Sequence, residues 1–185
     1  MQSADLRAGL IAFGLSGALN VVADAFPPAP QAALNLAGVT AGLLGFGAVY
    51  ALAGRRAGLA GTLAYALCIA GLTGIAGFLF ADAVVLRALP PETTAALTAG
   101  SAGLAIFAAV IVYVLGVLAF VAALWRAGGV PRLALAVWGL ATVPTLAAIA
   151  LPTVVMTLAE GAAGLAIVWI AVHLARHALP GRASA

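Results

Sequence analysis

The chain has 185 residues, 65% of them hydrophobic, and its only charges are eight arginines and five acidic residues, with no lysine. A soluble domain carries about 25% charged residues; this one has 7%, so water cannot be the solvent on most of its surface. That excludes a disordered chain, a nucleic-acid binder and an ordinary cytosolic enzyme, and it leaves a polytopic membrane protein.

A membrane-crossing helix needs about 20 apolar residues. Read that way, the sequence is an all-α, polytopic six-helix bundle in one domain, residues 1–185. The expected spans are 6–26, 32–54, 59–86, 99–125, 130–151 and 153–173. Proline and glycine clusters separate them: Pro27-Pro28-Ala29-Pro30, Gly54-Arg55-Arg56, Pro90-Pro91-Glu92, Gly128-Gly129-Val130-Pro131 and Leu151-Pro152. Proline cannot donate to a helix ladder, so these clusters stop helices. No run alternates apolar and polar residues over about ten positions, which excludes a β-barrel.

The first span reads as a membrane helix and not as a cleaved signal peptide, because it is long and holds Asn20 and Asp24. Ser16, Asn20 and Asp24 recur every four residues and so share a helix face. That stripe is either a packing surface or one wall of a polar cavity. In the second span, Asn35 is polar, and Gly38, Gly42 and Gly45 form a small-residue face that admits a close neighbour. The third span carries Tyr65, a single Cys68 read as a core residue, and Asp82. Asp82 stands 26 residues after Arg56. At 1.5 Å per residue that is about 39 Å, enough to reach the headgroups, where Arg87 can pair with it. In the fifth span, Trp138 precedes a kink at Pro144, which lies between Thr142 and Thr145. The sixth span holds Thr157 and Glu160.

Glu160 is the most unusual residue in the chain. It is flanked by Gly161 and Gly164, which allow a neighbouring helix to approach, so it is expected to face the bundle interior. An ionisable group inside a membrane marks a functional site by default. The candidate catalytic residues are therefore Glu160, Asp24 and Asp82, and the candidate ligand-binding residues are Ser16, Asn20, Asn35, Tyr65, Trp138 and Thr157. His173 and His177 share a face near the end of the last span, but no third ligand is evident. Neither a metal nor any other cofactor is expected.

Arginine placement gives an orientation. With six passes, Arg7, Arg55, Arg56, Arg126, Arg132, Arg176 and Arg182 fall on one side and Arg87 on the other. The positive-inside rule then puts both termini in the cytoplasm. Asn20, Asp24, Asn35, Asp82 and Glu160 fall in the outer half.

The segment Val130-Pro131-Arg132 through Trp138-Gly139, with a last helix carrying Glu160 and Trp169, resembles a bacterial family of small six-to-seven-span membrane proteins of unknown function. The resemblance implies a helical bundle in a bacterial inner membrane and no particular chemistry.

Three functions fit these residues. The first is a polar cavity in the outer half that binds a lipophilic small molecule and acts on it by carboxylate acid/base chemistry. The second is a proton- or ion-coupled small transporter. The third is an accessory subunit of a larger membrane complex. The expected partners are the lipid bilayer, a lipophilic small molecule, and a second copy or a complex partner; nucleic acid is not among them.

Overall fold

A computed structural model describes residues 3–147 and 151–177, without the side chains of residues 28 and 29. Arg182 and residues 148–150 of the expected fifth span lie outside the described residues. The helices are α1 (Ser3–Ala23), α2 (Pro28–Leu52), α3 (Gly58–Val84), α4 (Pro91–Ala99), α5 (Ser101–Ala127), α6 (Arg132–Thr142) and α7 (Thr153–His177). Short 3-10 turns cover Gly54–Ala57, Leu86–Ala88 and Val143–Ala147, and no strand occurs among the described residues. Five stretches are long and apolar enough to cross a membrane: Ser3–Ala23, Pro30–Leu52, Gly54–Ala88, Ser101–Ala127 and Thr153–His177.

The helix boundaries follow the proline and glycine pattern. Pro28 and Pro91 each sit in the first turn of a helix, after Pro27 and Pro90 in extended backbone. A proline ring fits the first turn, whose N–H groups have no partner within the helix, but not a later one. At the end of α5 the backbone turns left-handed at Gly128 (φ 71°) and Gly129 (φ 80°), which glycine alone adopts without strain.

Two segments differ from the sequence reading. The polar stretch before the expected fourth span is itself a helix, α4, divided from α5 at Gly100. The Thr94 hydroxyl donates to the Leu86 carbonyl at 3.0 Å and so ties α4 back to the end of α3. The expected fifth span is an 11-residue α-helix that tightens into a 3-10 turn at Val143–Ala147, around Pro144. The turn rises about 2.0 Å per residue against 1.5 Å for the helix, so the two together extend about 26 Å.

Close approaches at glycines fix the helix directions. Gly9 meets Ala48, and Gly45 meets the Phe13 backbone, so α1 and α2 are antiparallel. Gly71 meets Tyr113 and Gly116 meets Cys68, so α3 and α5 are antiparallel. Gly14 meets Ala171 and Gly17 meets Gly164, so α1 and α7 are antiparallel as well. α6 runs back along α5: Arg132 sits over the Trp125 ring, and Gly139 approaches Leu118 and Val121.

These pairings give the bundle two unlike ends. Arg7, Arg55, Arg56, Arg126, Arg132 and Arg176 gather at one, where the Arg56 guanidinium reaches the Gly129 turn. Asp82 and Arg87 lie at the other. Between the ends, Trp138 is fully buried among Phe13, Phe46 and Phe120, with ring centroids 5.5–6.4 Å from its own. The outer surface shows large apolar side chains, Leu44, Leu59, Leu104, Leu140 and Leu158 among them, each about two-thirds exposed or more. A water-soluble protein seldom exposes so many large apolar side chains.

Candidate functional site

A chamber of about 180 Å³ opens at the end of the bundle away from the arginine cluster. It is built where α1 and α3 finish and α2 and α7 begin, and it is closed on one side by α5, α6 and the 3-10 turn after α6. Ser16 and Asn20 come from α1, Asn35 from α2 and Glu160 from α7. Val39, Phe46, Leu72, Ile75 and Ile167 make an apolar floor and side wall.

The glycine face of α2 is what lets the α1 stripe fit. A Cβ on Gly42 would come within 3.0 Å of Ser16 Oγ, and one on Gly38 within 3.1 Å of Asn20 Oδ1. Small residues on one helix therefore make room for polar side chains on the other. Both sets were visible as periodic faces; what the structure adds is that they oppose each other. On the far side, Gly164 brings α7 into backbone contact with α1 at Gly17, which sets Glu160 one turn above that contact, beside the chamber. Nothing lies within 4 Å of a Cβ built on Gly161, so that glycine has no part in the approach.

Apart from Thr142, the polar side chains that line the chamber lack protein partners among the described residues. Among the described residues, the side chains of Ser16, Asn20, Asn35, Tyr113 and Glu160 make no hydrogen bond or ion pair. Trp138 Nε1 is the one side-chain polar atom among the described residues that is both fully enclosed and without a partner. The others open onto the chamber. A polar group removed from water without a partner costs about 1–3 kcal/mol, so the lining is suited to water or a ligand and not to an empty space.

The remaining candidates are spread out. Asp24 lies just beyond α1 and is absent from the chamber lining. Its Oδ1 accepts a 2.9 Å hydrogen bond from Gln31 Nε2 on α2. Asp82 does not line the chamber; it pairs with Arg87 at 3.3 Å on the partly exposed surface. Tyr65 stacks on Tyr50 with centroids 4.6 Å apart, toward the arginine end and away from the chamber. Thr157 is exposed and absent from the lining. Trp138 is packed against Phe46, beneath the chamber floor. The His173 and His177 rings lie 4.7 Å apart, and no group of three metal-ligating side chains occurs among the described residues.

Three lining residues were missed as site candidates: Tyr113, Thr142 and Thr145. The threonines flank Pro144, so the kink was the available signal. Tyr113 is the only hydroxyl in the apolar run from Ala102 to Leu124, and that isolation was its signal. The Thr142 hydroxyl donates to the Trp138 carbonyl at 2.8 Å, whereas Thr145 makes no such bond among the described residues.

No family model matches the chain, and no curated protein or solved structure matches it.

Proposed function

We propose that this chain is a multi-pass membrane protein whose chamber binds a lipophilic small molecule through that molecule's one polar end. The observation that carries this reading is the convergence of Ser16, Asn20, Asn35 and Glu160, from three helices, on one space of about 180 Å³ with no protein partner for any of them. A space of that size holds about six waters, or a group about the size of an aromatic ring. A larger ligand would place its polar group among these side chains and extend its apolar part over Leu72 and Ile75 and out of the mouth. Glu160 is the group that would exchange a proton with the ligand, with Asp24, at the end of α1, as the second carboxylate. Asp82, held by Arg87, has no part in this chemistry.

The proposed arrangement has six crossings, with Arg132–Ala147 as the shortest, and both termini in the cytoplasm of a bacterial inner membrane. The gathering of arginines at one end of the bundle supports that orientation. A cytoplasm-active reporter fused to either terminus should be active.

The test of the chamber is mass spectrometry of small molecules that copurify with the full chain. Wild type should carry a compound that Glu160→Gln loses, while Asp82→Asn keeps it. Retention of the same compound by Glu160→Gln would overturn the reading. A carboxylate on an apolar helix, Glu160 beside the chamber, favours a second reading, a proton- or cation-coupled transporter. In that case reconstituted vesicles would show flux that follows a proton or cation gradient and stops in Glu160→Gln.

A further inference from the structure

A second hollow lies at the opposite end of the bundle, on the outer surface between α1 and α7. Its volume is about 420 Å³. The two helices touch at Gly17 and Gly164, and Gly14 faces Ala171 on the arginine side of that contact. At Gly14 a built Cβ would sit 3.4 Å from Ala171 Cβ, an ordinary contact. Gly14, Ala171 and Ala175 are small, and over their seam lies a groove bordered by Leu10, Ile11, Val168 and Val172, with Arg7 as the one charged residue in its lining.

Arg7 and Arg176 are both exposed, and neither has a salt-bridge partner among the described residues. Arg176 stands four residues after Val172 and therefore on the same side of α7. From Arg7 to Gly14 the groove runs seven residues, or about 10 Å. It is apolar along its length and cationic at its end, which matches one acyl chain joined to an anionic headgroup. A parallel second copy would instead bring Arg7 and Arg176 of two chains together at like charge.

We propose that this groove binds an anionic glycerophospholipid, with one acyl chain between α1 and α7 and its phosphate on Arg7. The site rests on the membrane reading above but not on the chamber or its ligand, and it does not depend on which side of the membrane the arginine end faces. Basic pockets between membrane helices are a recurrent form of headgroup recognition.

The experiment reconstitutes the full chain into vesicles of equal parts phosphatidylglycerol and phosphatidylcholine. The protein is then extracted gently, and the lipids it retains are counted by native mass spectrometry. Wild type should retain phosphatidylglycerol over phosphatidylcholine by about five-fold, the effect of one well-placed interfacial cation. Arg7→Gln should bring the ratio close to one, and Arg7→Lys should keep it. Val172→Phe, which narrows the groove from an exposed position, should lower retention of both lipids. Equal retention of both by wild type, an unchanged ratio in Arg7→Gln, or a lipid-free dimer would each overturn the proposal. A chain that fails to enter the vesicles at all would instead overturn the membrane reading. Circular dichroism of each variant establishes that it is folded.

Discussion

Gly17 and Gly164 meet backbone to backbone where α1 crosses α7: a Cβ on either would strike the other's carbonyl oxygen. This contact positions both sites. On one side of it α7 carries Glu160 to the chamber; on the other the small residues Gly14, Ala171 and Ala175 leave the arginine-end groove over the seam. Main-chain atoms cannot rotate out of the way as a side chain can. Gly17→Ala or Gly164→Ala must therefore push the helices apart, at a cost of about 1–3 kcal/mol. Gly161→Ala, which meets nothing within 4 Å, should be neutral or gain up to about 1 kcal/mol from helix propensity. Thermal unfolding of the three variants in one detergent checks this. Equal losses at Gly161 and Gly164 would remove the contact from its central role.

Trp138 gives a second contrast. Its indole is fully buried among three phenylalanines, and Nε1 has no partner among the described residues. Trp138→Ala leaves a large cavity and should cost about 3–5 kcal/mol. Trp138→Phe also loses volume but removes an unsatisfied donor that costs about 1–3 kcal/mol, so much of its packing loss is offset. Unfolding midpoints should place Trp138→Phe close to wild type and far from Trp138→Ala. A phenylalanine variant as unstable as the alanine one would mean that Nε1 has a bonding partner in the folded protein.

Asp82 and Arg87 form a partly exposed pair 3.3 Å apart, with side chains 30% and 37% accessible. Exposed pairs of this kind contribute about 0–1 kcal/mol. Asp82→Asn should therefore leave the unfolding midpoint nearly unchanged, and it should leave ligand retention in the chamber intact. A loss of retention would return Asp82 to the site.

The sequence revealed periodic faces but not their partners. Ser16 and Asn20 share a face by four-residue spacing, and Gly38, Gly42 and Gly45 by spacings of four and three, yet only tertiary packing sets one against the other. Glu160 stood out because a lone carboxylate in an apolar run has few structural explanations. Asp82 stood out for the same reason and has one, Arg87, five residues on. Tyr65 and Thr157 are polar groups in apolar helices like the rest, and helical periodicity alone could not say that Tyr65 stacks on Tyr50 or that Thr157 faces outward. The α4 helix was hidden because Pro90-Pro91-Glu92-Thr93 reads equally as a turn or as the opening of a helix. The 3-10 winding at Pro144 depends on how the chain between α6 and α7 must close, which local sequence does not encode.

The chamber should admit small water-borne reagents while the core does not. Asn35 lines it and is half-buried, whereas Cys68 is fully buried between α3 and α5, with the Gly116 backbone against it. A thiol reacts as thiolate, and only where a reagent can reach it. In the Asn35→Cys chain, a small charged methanethiosulfonate added to intact vesicles should therefore modify one site, and a Cys68→Ala background should not alter that yield. A maleimide carrying a bulky dye should react much more slowly, because a space of about 180 Å³ has no room for it. Reaction in wild type at a rate matching Asn35→Cys would place the accessible thiol at Cys68 and close the chamber to solvent. Reaction only from the side that carries the termini would contradict a chamber that opens at the far end of the bundle, whichever way the protein sits in the membrane.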